Sequence, residues 1–199
     1  MNISLTFDTD WVHESAIVDV MNLMQEYSVI GTFFATNTYG CFLQNNIPHE
    51  IGIHPNFNRI LSEGDANLYK IIDEIVSIYP KARGFRSHSL TQSSSILNYF
   101  YSKGLIYDSN QYHPNGGELY KDFSGLYRFV HNYVDFGHLM EKPLNLDNIN
   151  LQKKILNVLD FHPIHIYINT PSVQYYENVK KFLPFENIKN CINKSEFGI

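Results

Sequence analysis

The sequence has few of the features that mark secreted, disulfide-stabilised or membrane-spanning proteins. Its 199 residues include two cysteines, Cys41 and Cys191, too few for a disulfide framework and at no metal-binding spacing. The N-terminal segment has no basic stretch followed by an apolar core, as a signal peptide would have. No apolar run reaches the roughly 18 residues of a membrane-spanning helix. We therefore expect a soluble, cytoplasmic protein with reduced thiols and no membrane insertion.

Basic character is also scarce. Fifteen Lys and Arg residues stand against twenty Asp and Glu residues, for a net charge of −5, and the chain has no lysine- or arginine-rich run. Because binding to a phosphate backbone needs a basic face, a nucleic-acid partner is not expected. No glycine-rich loop follows the first predicted strand, so a nucleotide-binding α/β fold would have nothing to hold the phosphates.

Hydrophobic residues make up 44% of the chain, enough for the core of one domain spanning residues 1–199. Their spacing alternates between the periods of strands and helices. Strands are predicted at 3–7, 31–36, 49–54, 82–87, 105–109, 126–130 and 156–162, and helices at 12–27, 68–79, 93–102, 147–155 and 172–182. This alternation predicts parallel strands with outer helices, either closed as a small β/α barrel or open as a doubly wound sheet.

Polar residues collect where the predicted strands end. Asp8 and Asp10 close the first strand, and a proline, which interrupts strand pairing, follows both His54 and His162. Each residue alone has an ordinary explanation, such as a helix N-cap for Asp10. In β/α folds, however, the carboxyl ends of the strands open on one face. The set therefore predicts one site, and its carboxylates and imidazoles suit zinc or a similar divalent ion in a metal-assisted hydrolase. Its members are Asp8, Asp10, His54, Arg86 and His162, and His88 follows two residues after Arg86.

Five segments occur in the order found in the NodB-homology polysaccharide deacetylases of carbohydrate esterase family 4. They most resemble the WbmS-like branch, which is linked to O-antigen biosynthesis, and the resemblance runs from residue 3 to about residue 170. It implies an α/β fold, a distorted (β/α)7 barrel of NodB-homology type, and removal of acetyl groups from N-acetylated, sometimes O-acetylated, sugars. The segments read SLTFDTD (4–10), GTFFAT (31–36), HEIGIHPNF (49–57), GFRSHSL (84–90) and DFHP (160–163).

The resemblance implies that Asp8 is the general base and that Asp10 and His54 are metal ligands. Thr9 separates the two aspartates, as in a D-x-D variant of the family motif, and residues two apart on a strand share a face. The family's second metal histidine is replaced by Asn58. The third ligand is therefore Asn58 through its carbonyl oxygen, His88, or water. One divalent ion is implied, zinc in first place, with cobalt, nickel or a harder ion as alternatives.

The remaining roles also follow from the resemblance. Arg86 corresponds to the arginine that orients the base, and His162 to the histidine that protonates the leaving amine. An aspartate should orient His162; Asp135 is preferred, with Asp108 as the alternative. Phe161 stands where the family has an apolar residue lining the acetyl methyl pocket, and His165 is expected to be structural.

The expected function is a metal-dependent deacetylase acting on an N-acetylated sugar in surface polysaccharide (O-antigen) biosynthesis. The substrate would be a nucleotide-linked sugar, a lipid-linked sugar or an oligosaccharide, and a cytoplasmic location favours the first two. Asn58 keeps a second hypothesis open, a sugar-binding relative with impaired catalysis. A third is a metal-dependent amidase acting on a non-sugar amide, because one fold can host several functions.

Overall fold

Parallel strands and helices alternate in the computed structural model, which describes residues 1–63, 67–140 and 149–199. The strands are β1 (Asn2–Asp8), β2 (Thr32–Ala35), β3 (Glu50–Ile53), β4 (Gly84–Phe85), β5 (Tyr107–Tyr112), β6 (Tyr120–Lys121), β7 (Tyr127–Val134) and β8 (Leu156–Phe161). The helices are α1 (Glu14–Glu26), α2 (Asn58–Glu63), α3 (Leu68–Ile78), α4 (Ser94–Ser102), α5 (Asp135–Leu139), α6 (Pro163–Tyr167) and α7 (Val173–Val179). Within these ranges, none of the helices has both the length and the apolar character that a bilayer span requires.

Seven of the strands close into a parallel barrel. They follow the order β1-β2-β3-β4-β5-β7-β8, and β8 pairs with β1 to complete the ring. β6 lies outside the ring and pairs antiparallel with β7. The barrel is irregular, since β4 has two residues and the register shifts along the β5–β7 and β7–β8 pairs. The predicted distorted (β/α)7 barrel is therefore confirmed, and the open-sheet alternative is excluded.

The barrel strands place apolar residues outside and polar residues inside. In β1, Phe7 packs in the core beneath the helices and stacks on Phe33 of β2 at 4.6 Å between ring centroids. Its neighbours Thr6 and Asp8 point into the barrel, where both bond to Arg86. Alternate residues of a strand face opposite sides, so the same seven-residue strand builds both the hydrophobic core and the polar interior.

The helix predicted over 147–155 is wrong for residues 149–155, which form no helix; residues 147 and 148 lie outside the described ranges. Two buried asparagine side chains bind the backbone of this segment. Asn132 donates to the carbonyl of Asn150 at 3.0 Å, and Asn157 bonds both the N–H and the carbonyl of Gln152 at 2.7 and 2.8 Å. These amides satisfy the backbone groups that a helix would otherwise pair.

Replacing Asn157 with Ala is expected to lower the free energy of unfolding by about 2–4 kcal/mol, because several buried polar groups lose their partner together. Besides Gln152, the Asn157 amide bonds the carbonyl of Asn2 and the side chain of Asn132. Urea denaturation would measure the change. Asn178→Ala, at an exposed position of α7, is the matched control and should shift stability by less than about 0.5 kcal/mol. A loss no larger than that of the control would show that Asn157 does not hold this segment.

Candidate active site

A cavity of about 530 Å³ opens at the carboxyl-terminal end of the barrel. Hydrogen bonds from one strand end to the next hold its walls: the N–H of Thr9 donates to Phe34, that of His54 to Ala35 and that of Arg86 to Ile53. The strand pairing thus continues one residue past each strand and fixes the backbone that carries the polar side chains. The charged or titratable residues lining the cavity include Asp8, Asp10, His54, His88, Asp160 and His162.

Asp10, His54 and His88 converge on one point. Asp10 Oδ2 lies 3.0 Å from His54 Nε2 and 2.9 Å from His88 Nδ1. Burial alone would raise the pKa of Asp10, but the two imidazoles lower it well below its usual value. Burial likewise opposes the charge of His54, whose pKa is nevertheless raised by Asp10 and Asp8. The three groups therefore interact strongly through one carboxylate oxygen.

The same three residues fit a divalent metal ion. Their ligand atoms all lie within 4.8 Å of one another, and one carboxylate oxygen with two imidazole nitrogens is a donor set typical of zinc. Asn58, by contrast, is the exposed first residue of α2, where its backbone N–H donates to Asn56 Oδ1. The structure thus brings His88, rather than Asn58, to Asp10 and His54.

Arg86 crosses the barrel interior with all its donors engaged. Nη1 donates to Asp8 Oδ1 at 3.0 Å and to Asp160 Oδ1 at 2.5 Å. Nη2 donates to the hydroxyls of Thr6 and Ser109, and Nε to the Ser109 carbonyl. Burial opposes the charge of this guanidinium, but Asp160 and Asp8 raise its pKa. A fully buried side chain bonded in this way holds Asp8 in one orientation.

Asp160 is a site residue that the sequence reasoning missed. Burial raises its pKa to about 8, against the opposing effect of Arg86. The signal was available, because Asp160 is two residues before His162 and the strand alternation places both on one face. The same alternation turns Phe161 outward, where its ring packs 5.2 Å from Tyr133 and 6.1 Å from Phe7. The residue expected to line the methyl pocket therefore packs against the hydrophobic core, and Asp160 lines the cavity instead.

His162 is bonded twice to Asp135. Its Nδ1 lies 2.7 Å from Asp135 Oδ1, and its backbone N–H donates to Oδ2 at 2.6 Å. Burial would lower the pKa of His162, but Asp135 raises it well above the usual value. The other nitrogen, Nε2, lies 4.0 Å from Asp10 Oδ2 and so faces the cavity. This arrangement can present a protonated imidazole to a bound molecule.

Two other residues named from the sequence have partners outside the proposed catalytic groups. Asp108 accepts the N–H of Asn110 and pairs with Arg128, 2.5 Å from its Nε. His165 is buried, and its Nδ1 bonds the hydroxyl of Thr170 at 3.1 Å. Burial lowers the pKa of His165 to about 4, so its ring is neutral at neutral pH. Of the two aspartates considered for orienting His162, the structure brings Asp135 to it.

The family model of the WbmS-like polysaccharide deacetylases matches residues 5–180 of the chain. A crystal structure from Bordetella bronchiseptica, assigned as a WbmS polysaccharide deacetylase involved in O-antigen biosynthesis, is 30% identical to the chain. It superposes with a TM-score of 0.87 over 98% of this chain and 86% of that one. These two findings confirm the resemblance found in the sequence motifs. The comparison with curated proteins gives no match.

Two further crystal structures share the fold at lower identity. A polysaccharide deacetylase from Mycobacterium smegmatis is 16% identical, with a TM-score of 0.57 over 81% of this chain and 76% of that one. A carbohydrate esterase family 4 pseudoenzyme from Bacillus anthracis is 12% identical, with a TM-score of 0.50 over 95% of this chain and 60% of that one. At these identities the likeness shows the fold alone.

Proposed function

Since the chain belongs to the WbmS-like family of polysaccharide deacetylases, we propose that it is a metal-dependent deacetylase of an N-acetylated sugar in O-antigen biosynthesis. The observation that carries this proposal is the convergence of three groups of side chains on one cavity. A candidate ligand set, an arginine-bound carboxylate and an aspartate-bound histidine lie side by side there. Metal-assisted hydrolysis of an amide uses the three corresponding functions, a metal ion, a general base and a general acid.

Asp10, His54 and His88 would hold the ion, with zinc in first place and cobalt or nickel as alternatives. When bound, a divalent ion lowers the pKa of water toward roughly 7 and stabilises negative charge on a carbonyl oxygen. His54 and Asp10 are buried, so their geometry is fixed by the surrounding barrel ends, whereas His88 is partly exposed at the cavity wall. This difference makes His88 the ligand nearest to solvent.

Asp8 removes the proton of the attacking water. Its carboxylate is oriented by Arg86, whose Nη1 also bonds Asp160. Nη1 therefore holds the two carboxyl groups side by side, and burial raises the pKa of Asp160. We assign the base to Asp8 because its position in the first motif corresponds to the family's base aspartate and because Arg86 fixes its orientation.

His162 supplies the proton that the leaving nitrogen needs. The C–N bond of the acetamide breaks as the nitrogen receives this proton, and acetate and a free amino sugar are released. Asp135 keeps the proton of Nδ1 in place, so Nε2 is the atom that donates toward the cavity. A positioned acid of this kind contributes a rate factor of roughly 10²–10⁴.

We also place the reaction in the cytoplasm. Cys41 and Cys191 are both free and buried, which fits a reducing compartment. A cytoplasmic deacetylase would meet its sugar on a nucleotide or a lipid carrier, or in a short glycan that is still being assembled.

The test is acetate release by the zinc-loaded protein, measured with N-acetylated monosaccharides, their short oligomers and nucleotide-linked forms, and with simple aryl acetamides. We expect release from the sugars and none from the aryl amides. The reverse pattern would identify the amidase alternative. Binding of the sugars without any acetate release would identify a sugar-binding protein with impaired catalysis.

Asp135→Asn is expected to move the alkaline limit of kcat to lower pH by about 1–3 units, the shift that a neighbouring opposite charge produces. His162 is active when protonated, and Asp135 raises its pKa. Removing that charge lowers the pKa, so the active form disappears at a lower pH. A pH–rate profile measures the limit.

Asp108→Asn is the control for this experiment, because Asp108 pairs with Arg128 rather than with His162. Its profile should keep the alkaline limit of the unaltered protein. If Asp108→Asn displaced the limit and Asp135→Asn did not, the partner of His162 would be Asp108.

A further inference from the structure

We propose that a groove beside the candidate active site binds the sugar unit next to the one that is deacetylated, with the Trp11 indole as its stacking surface. This inference rests on the proposed function and narrows its substrate to a glycan of at least two sugar units. Trp11 is the one tryptophan of the sequence, and it lines both the active-site cavity and the groove.

The groove has a volume of about 490 Å³ and opens at the same end of the barrel as the active site. Its walls are residues 36–38, which follow β2, residues 55–56, which follow β3, and one side of α3. The Thr36 hydroxyl donates to Asp10 Oδ1 at 3.4 Å, so the two cavities also meet through a candidate metal ligand. A glycan whose acetylated unit occupies the active site would therefore extend into the groove past Trp11.

The backbone of Trp11 is held in an unfavourable conformation. Its φ is +52°, in the left-handed region that bulky residues rarely adopt. The segment between β1 and α1 that contains Trp11 is held on both sides. The Thr9 hydroxyl donates to the Phe34 carbonyl, and the His13 N–H donates to the Leu183 carbonyl. The indole is nevertheless 54% exposed, with its ring edge-on to His88 at 6.1 Å. Strain of this kind persists where the surroundings impose it and is concentrated at ligand sites.

The side-chain chemistry of the groove matches a sugar ring. A pyranose has apolar C–H faces and a rim of hydroxyl groups, so it needs a flat apolar surface and several hydrogen-bonding groups around it. The indole supplies the first. The hydroxyl and amide side chains of Thr36, Asn37, Thr38 and Asn56 supply the second. Glu74, on the opposite wall, can accept from sugar hydroxyls, and none of the described residues lining the groove is a cation that would bind a diphosphate, which favours a neutral second sugar over a nucleotide.

Because Trp11 is the sole tryptophan, the intrinsic fluorescence of the zinc-loaded full chain reports binding at this position directly. The probes are N-acetylglucosamine and its β-1,4-linked dimer and trimer. We expect all three sugars to change the emission, because Trp11 also lines the active-site cavity, and we expect the dimer and trimer to bind about ten-fold more tightly than the monomer. Thr38→Tyr, at an exposed position of the groove wall, should remove this gain because the larger side chain fills part of the groove.

Trp11→Gly and Trp11→Phe complete the test by calorimetry. Glycine relieves the left-handed backbone, so the thermal midpoint should be equal or higher, while the gain from the second sugar disappears. Phenylalanine should retain part of the gain. Equal affinities for monomer and dimer, or a full gain in Trp11→Gly, would overturn the groove assignment.

The two proposals fail separately. Binding of the dimer about ten-fold more tightly than the monomer, without acetate release, would refute the deacetylase and leave the groove in place. Acetate release from the monomer with no preference for the dimer, in rate or affinity, would refute the groove and leave the deacetylase.

Discussion

Asp8→Asn is expected to reduce acetate release by at least about 10²–10⁴-fold, the contribution of a positioned general base, while the protein keeps its metal. Asparagine has the shape of aspartate, and its amide oxygen can still accept from Arg86 Nη1, which now lies 3.0 Å from Asp8 Oδ1. It cannot take a proton from water. The measurements are kcat with the best sugar of the substrate panel and the metal content of the same preparation.

The control is Asp19→Asn, which makes the same chemical change at an exposed position of α1 and should leave both quantities unchanged. Normal turnover in Asp8→Asn would show that another group is the base. Asp160 would then be the next candidate, because its carboxyl group shares Arg86 Nη1 with Asp8. Loss of metal from Asp8→Asn would instead mean that Asp8 is a ligand, and the roles of Asp8 and Asp10 would have to be reassigned.

The barrel and the convergence of the polar residues could be predicted from the sequence. Both depend on short-range signals. The spacing of apolar residues identifies strands and helices, and His-Pro pairs mark where strands end. Parallel strands bring their carboxyl ends to one face whatever the separation in sequence. That is why Asp8 and His162, more than 150 residues apart, could be assigned to one cavity before any contact was known.

The choice between Asn58 and His88 could not be predicted in this way. His88 reaches Asp10 because the chain turns sharply after it, with left-handed backbone at Ser89 and Leu90, φ +55° and +54°. Neither serine nor leucine favours that conformation, so the local sequence does not predict the turn. It is imposed by tertiary contacts, such as the His88 N–H bond to the Pro55 carbonyl.

Asp160 and the segment at 149–155 were missed for different reasons. The alternation of β8 is sufficient to place Asp160 with His162 and to turn Phe161 outward. The family motif predicts the opposite orientation for Phe161, and the strand period is the better guide at this position. Residues 149–155 carry apolar spacing that suits a helix, and the amides of Asn132 and Asn157 prevent it. Side chains from distant strands cannot be read from a local pattern.

The metal content of the purified protein separates the remaining alternatives for the ligands. We expect about one divalent ion per chain, held by a set of three protein ligands, as in catalytic zinc sites. Asp10→Ala and His54→Ala should abolish binding, because both residues are buried at the centre of the site. His88→Ala should weaken it by more than about 100-fold, beyond the loss seen for residues that only support a ligand.

The Asn58→Ala variant tests whether the exposed amide is a metal ligand. We expect this variant to bind metal normally, because Asn58 is exposed to solvent at the start of α2. His113→Ala, at an exposed histidine, controls for nonspecific binding to imidazole. Elemental mass spectrometry gives the stoichiometry, and competition with a chelating indicator gives the affinities. Loss of metal in Asn58→Ala with retention in His88→Ala would make Asn58 the third ligand and require α2 to close over the cavity.

An unaltered protein that takes up no zinc, cobalt or nickel would remove the metal from the mechanism. The Asp8, Arg86 and His162 arrangement would then have no partner to activate water, and sugar binding without hydrolysis would become the better account.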